Sequence, residues 1–120
     1  MSDMQLGMVE AKFADIIWEN APVSSSTLVK IAEEQLGWKK STTFTVLRRL
    51  CDKGIFINEK GCVTFLISKQ DFFSMQSEKF VDETFGGSLP AFVAAFTKRK
   101  KLSKEEIEAL KKMVSDFEEE

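Results

Sequence analysis

Apolar residues return at helical spacing three times in the first half of the chain. Leu6, Val9, Phe13, Ile16 and Ile17 share one helix face until Asn20-Ala21-Pro22 stops the pattern. Ser24-Ser25-Ser26-Thr27 then offers N-cap hydroxyls, and Leu28, Ile31, Ala32 and Leu36 form a second stripe closed by Gly37. In residues 38–54, WKKSTTFTVLRRLCDKG, a turn of about 100° per residue gathers Thr43, Val46, Leu47 and Leu50 on an inward face. Ser41, Phe44, Thr45, Arg48 and Asp52 fall on the opposite face, with Thr42 and Arg49 beside them. Ser41 is the expected N-cap of this third helix. Gly54 ends it, because glycine enters the left-handed conformation without a Cβ penalty. Trp18, at the apolar edge of the first stripe, reads as a core or rim aromatic rather than a ligand contact.

After Gly54 the helical period gives out. Ile55-Phe56-Ile57-Asn58-Glu59 and Cys62-Val63-Thr64-Phe65-Leu66-Ile67 are rich in β-branched and aromatic residues, and Lys60-Gly61 between them has hairpin length. A lone hairpin is marginal in water, so this one has to pack on the helices and leave its tip free. Three helices followed by a hairpin is the order of a winged helix-turn-helix. The expected fold is mainly α with a small β-hairpin wing over residues 1–70, followed by a helical region over residues 71–120.

In that second region, residues 71–85 carry Phe72, Phe73, Met75, Phe80, Val81 and Phe85 around more than one side, so the helix needs more than one partner surface. Gly86-Gly87 breaks it. Leu89, Phe92, Val93 and Phe96 then form another stripe, with Pro90 tolerated in its first turn. Ser103 and Glu106 make a capping box that Leu102 and Ile107 can staple, and Ile107, Leu110, Val114 and Phe117 form a last narrow stripe. So many phenylalanines exceed what one small domain hides. A second copy of the chain is the expected cover, with Phe72, Phe80, Phe85, Leu89, Phe92, Val93, Phe96, Ile107, Leu110 and Val114 as the dimerisation residues. Folding back onto the N-terminal domain is the alternative.

Composition adds a constraint. At 120 residues, 43% hydrophobic and 30% charged, the chain suits one modest core or a core with an appendage. Its net charge of −2 excludes a protein that coats nucleic acid generally, so any DNA contact has to be local. Residues 39–53 reverse the balance with five Lys/Arg against one acid. Residues 1–70 hold nine basic and eight acidic side chains, and residues 71–120 eight and eleven, so the reader of DNA belongs in the first part. Short hydroxyl side chains at a helix start with arginines a turn later suit a helix entering the major groove by its N-terminus. Ser41, Thr42, Thr45 and Arg48 are the candidate base or groove contacts, and Lys39, Lys40, Arg49 and Lys60 the candidate phosphate contacts. Phe44 either packs on a thymine methyl or leans back on the first helix. Lys60, at the turn, reads equally as a solvated lysine. The run Lys98-Arg99-Lys100-Lys101 reads as a solvated connector rather than a second DNA site.

Other chemistry lacks material. Histidine is absent and Cys51 and Cys62 form no C-x-x-C pair, so no metal site, no cofactor and no enzyme activity is expected. No basic-then-apolar leader and no run of about 18 apolar residues suggests secretion or a membrane span, and the expected location is the cytoplasm. A winged domain that binds a partner protein instead of DNA is the alternative function.

The helix order, the residue 38–54 segment ending in Leu-x-x-x-Gly, the hairpin, and FVDETFGGSLPAFVAAF (residues 80–96) running into Leu102-Ser103-x-x-Glu106-Ile107-x-x-Leu110 together resemble the BlaI/MecI family of penicillinase repressors. The resemblance covers nearly the whole chain. It implies a winged-helix DNA-binding domain and a helical dimerisation domain, acting as a homodimeric repressor of antibiotic-resistance genes on a palindromic double-stranded DNA operator. It also implies release by an inducer-linked protease. Thr42 matches a threonine that members use on DNA at the recognition-helix start. Three departures stand beside the match. Ala95-Phe96, the cleavage candidate, replaces the Asn-Phe pair of members that are cut. Phe44 stands where relatives often have Arg or Lys. The chain ends in glutamates, where copper-responsive relatives cluster cysteines.

Overall fold

In the computed structural model, which describes residues 5–119, helix α1 (Met8–Asn20) starts after Gly7, whose N–H donates to the Glu10 carboxylate at 3.1 Å. It buries Phe13, Ala14, Ile16 and Ile17. Val9, expected in the stripe, is exposed, and Leu6 lies ahead of the helix. The first turn runs past the edge of the core, and a polar link takes the place of packing there. Lys53 Nζ donates to the Gln5 carbonyl at 2.7 Å and lies 3.5 Å from Glu10.

A two-residue strand, β1 (Val23–Ser24), follows. Ser24 also caps α2 (Ser25–Leu36), its hydroxyl accepting from the Thr27 N–H at 3.1 Å. Leu28 and Ala32 are buried on α2, with Ile31 and Leu36 half-buried against the same core.

Helix α3 (Lys40–Asp52) presents Thr43, Val46, Leu47 and Leu50 inward, as the periodicity predicts. Its start differs from the expectation. Lys39, not Ser41, occupies the N-cap, and no side chain caps the first turn. Tertiary packing fixes the entry instead: Trp38 sits 5.2 Å from the Phe13 ring, and the buried Thr43 hydroxyl donates back to the Lys39 carbonyl at 3.3 Å. The exit is a Schellman motif. Gly54, at φ 82°, donates to the Cys51 carbonyl at 2.9 Å, and the Ile55 N–H reaches the Leu50 carbonyl at 3.4 Å.

That turn feeds the wing, β2 (Phe56–Glu59) and β3 (Cys62–Phe65), each shorter than expected. The strands pair antiparallel with Phe56 opposite Phe65 and Glu59 opposite Cys62. Lys60 and Gly61 both have positive φ, 52° and 83°, the backbone that two-residue hairpins require. The hairpin is part of a three-stranded sheet in the order β1-β3-β2, with Val23 opposite Val63 and Ser24 opposite Cys62. The Ser25 N–H extends this seam to the Gly61 carbonyl at 2.8 Å.

Helix α4 (Lys69–Phe85) leaves from under Trp18. The indole N–H donates to the Ile67 carbonyl at 3.0 Å, and its ring lies 5.1 Å from Phe56 and 5.5 Å from Phe72. Trp18 is thus an aromatic of the core's rim. Phe72, expected among the dimerisation residues, is buried in the N-terminal core instead, because Trp18 occupies the face it turns to. The chain divides into two compact units inside α4, one ending at Ser77 and the other starting at Glu78.

The second unit holds the end of α4 together with α5 (Leu89–Arg99) and α6 (Lys104–Glu118). Ser88 caps α5 through the Ala91 N–H at 3.1 Å. The reciprocal Ser103–Glu106 box caps α6 at 3.0 and 3.1 Å. Phe80, Phe85 and Phe92 meet edge to face with centroids 5.6 to 6.0 Å apart, and Phe96 joins Phe92 at 6.0 Å. Neither α5 nor α6 has a buried residue.

Candidate nucleic-acid interface

The inward face of α3 is locked by its four core residues, so the outward face is set by geometry. Lys39, Lys40, Ser41, Thr42, Thr45, Arg48 and Arg49 are all exposed on it or at its start. Ser41, Thr42, Thr45 and Arg49 border one shallow depression of about 210 Å³. The Thr45 hydroxyl donates to the Ser41 carbonyl at 2.9 Å, which holds the side chain against the helix and leaves its oxygen as an acceptor. Among the described residues, no carboxylate lies within ion-pair distance of Lys39, Lys40, Arg48, Arg49 or Lys60. Their charge is therefore turned to solvent.

The first turn adds to this field. The first backbone bond in it is from the Thr43 N–H to the Lys39 carbonyl, at 3.1 Å, and no side chain caps the turn. The preceding N–H groups of Lys40, Ser41 and Thr42 point out of the positive end of the helix, beside two lysines. Helices α2, α5 and α6 each take a serine cap at this place.

Phe44 packs partly against the N-terminal core. It is half-buried and lines a hollow of about 480 Å³ between α3 and the wing, opposite Phe56, Ile57 and Leu66. Arg48, Cys51 and Asn58 border the same hollow. Cys51, Asn58 and Leu66 carried no signal in the sequence, because the hollow is assembled from two elements and no single period runs through it. Burial, and then the neighbouring Asp52 carboxylate, push the Cys51 thiol up, offset in part by the Asn58 backbone N–H. Cys51 stays a protonated thiol at neutral pH rather than an activated nucleophile.

Lys60 stands exposed at the wing tip in a left-handed conformation that costs a non-glycine residue about 1 kcal/mol. Asn58 steadies the turn by accepting the Gly61 N–H at 3.1 Å. In the C-terminal unit, Phe80, Leu89, Val93, Phe96, Ile107, Leu110 and Val114 are exposed, while Phe85 and Phe92 are half-buried. Ala95 and Phe96 lie inside α5, both exposed. Among the described residues, no group of His, Cys, Asp or Glu is placed to hold a metal, and no helix is long and apolar enough to cross a membrane.

The model of the penicillinase repressor family matches residues 6–116. The chain is 27% identical over 118 residues to a penicillinase repressor of Staphylococcus aureus, covering 95% of this chain and 94% of that protein. It is 25% identical over 115 residues to the methicillin resistance regulatory protein MecI of Staphylococcus aureus strain Mu50, covering 92% and 94%. A penicillinase repressor of Bacillus licheniformis is 25% identical over 116 residues, with 93% and 91% covered.

Proposed function

The chain belongs to the penicillinase repressor family, and on that premise we propose that it is a homodimeric transcriptional repressor, cytoplasmic, that reads a palindromic operator with α3. The observation that carries this reading is the outward face of α3, where exposed basic and hydroxyl side chains surround an uncapped, positively polarised helix start. In this reading Ser41, Thr42, Thr45 and Arg48 enter the major groove, and Lys39, Lys40, Arg49 and Lys60 hold phosphates. The backbone cost accepted at Lys60 supports a role for its side chain beyond closing the turn. Two copies present two readers, which matches a two-fold operator.

The exposed apolar face of α5 and α6 is the support for the dimer. The cut that would release repression, between Ala95 and Phe96, falls within hydrogen-bonded helix, where the backbone must open before a protease can bind. With alanine in place of asparagine, we expect the bond to resist cutting. Mass spectrometry of the cellular protein before and after cell-wall antibiotics checks it, since a fragment ending at Ala95 contradicts the expectation.

Retention of DNA fragments from the source genome, followed by a salt titration on the enriched sequence, tests the main reading. Log affinity should fall with log salt by about 0.9 per phosphate contact. Binding without salt dependence, or no enrichment of any sequence, defeats it and favours a protein partner.

A further inference from the structure

The hollow between α3 and the wing, about 480 Å³, lies within the range of roughly 300–1,000 Å³ typical of small-molecule sites. Phe44 and Leu47 supply one apolar wall, and Ile57 and Leu66 help form the other. The polar groups are few. The Asn58 side-chain oxygen is engaged by the Gly61 N–H, and Cys51 offers a neutral thiol. The one formal charge in its lining is the Arg48 guanidinium, with no carboxylate within ion-pair distance among the described residues; the nearby Asp52 carboxylate acts on the Cys51 thiol. An open hollow with an apolar wall on each side and one cation in its lining complements a molecule with an apolar body and one negative end.

We propose that this hollow binds a small amphipathic anion, an acyl or aryl carboxylate, with its body against Phe44, Ile57 and Leu66 and its carboxylate on Arg48. The site stands apart from the repressor reading, and only its consequence rests on it: an Arg48 engaged by a carboxylate is withdrawn from DNA, so occupancy lowers operator affinity.

Decanoate, kept below its micelle-forming concentration, is the probe, with decanol as the uncharged control. Cys51 lines the hollow, whereas Cys62 is exposed on β3 and does not. Alkylation of each cysteine by iodoacetamide, read by mass spectrometry on the full chain, therefore reports occupancy with an internal reference. Decanoate should slow Cys51 and leave Cys62 unchanged. It should do so at about tenfold lower concentration than decanol, the worth of one hydrogen bond to a charged group. Arg48→Gln should abolish that difference and Arg48→Lys should keep part of it. Because Arg48 is exposed, both variants should melt like the parent. Equal slowing of the two cysteines, no slowing of Cys51, or decanol matching decanoate overturns the proposal. No DNA enters the experiment, so its failure is distinguishable from failure of the repressor reading.

Discussion

The two units of this chain solve the burial of apolar side chains in opposite ways. Up to Ser77, three helices, a sheet and the start of α4 close around one core in which Phe13, Ile17, Leu28, Leu50, Ile55, Phe56 and Val63 are shielded from water. From Glu78 onward the apolar side chains are as large, yet among the described residues of α5 and α6 none is fully shielded from water. Leu89 is 60% exposed and Phe117 66%. The first unit has the burial of a self-sufficient domain. The second leaves large apolar side chains exposed, which on the homodimer reading is the surface a second copy covers. Local helix signals are equally good in both, down to the serine caps of α2, α5 and α6. Secondary structure and tertiary completeness are therefore separate properties, and the second has to be read from burial.

Separating the two units is the strongest test. A chain ending at Ser77 should fold, sediment as a monomer and bind operator about 10²- to 10⁴-fold more weakly than the full chain, because tethering of the second reader is gone. If it still dimerises, the interface is in the wrong unit. A mutation inside the first unit should cost stability without touching mass: Leu47→Ala, at 3% exposure, should lower unfolding free energy by about 2–5 kcal/mol. Phe72→Ala belongs to the same class, with a loss of about 3–5 kcal/mol, because its ring packs at a tilt against Trp18 in that core. A dimerisation role for Phe72 predicts instead a shift in the monomer–dimer equilibrium, so denaturation at two protein concentrations separates the two. On the outward face, Arg48→Ala should leave the melting curve in place and weaken operator binding by about 1–3 kcal/mol.

The smallest effect concerns the α6 cap. Hydrogen bonding from the Ser103 backbone N–H, then from its hydroxyl, holds the Glu106 carboxyl below its ordinary range, with a lesser contribution from Lys100. A carboxyl that titrates lower in the folded chain than in the unfolded one stabilises the fold fully above the ordinary carboxylate range. That contribution disappears as pH falls through the lowered value. Glu106→Gln should therefore narrow the difference in α6 amide protection between neutral and acid pH, and an unchanged difference removes the box from the account.

Much of this architecture is legible in the residues. The inward quartet of α3, the glycine exit at Gly54, the turn at Lys60-Gly61 and the Ser103–Glu106 box each follow from local chemistry, and the structure has them. What escaped depends on contacts distant in the chain. Strand β1 is two residues long and exists only because β3 is there to pair with it. Ser41 has the side chain of a cap, but packing of Trp38 on Phe13 winds the helix from Lys40. Phe72 shares a phenylalanine-rich stretch with Phe80, and only the position of Trp18 tells them apart. Phe44 faces a wall that the wing supplies, an element outside the helical period that places it.

The wing is held from both sides: Gly54 turns α3 into β2 with a single left-handed residue, while β1 and the Ser25–Gly61 bond clamp β3 to the start of α2. The spacing from Lys60 to the face of α3 is thus a calliper setting with little play. A calliper of this kind does not adjust to its object. On the repressor reading, the DNA has to supply the give, through groove width and bending, and those deformations cost different amounts in different sequences. Some of the operator's identity would then be written in base pairs that no side chain touches, as the stiffness of the duplex rather than the pattern of its edges.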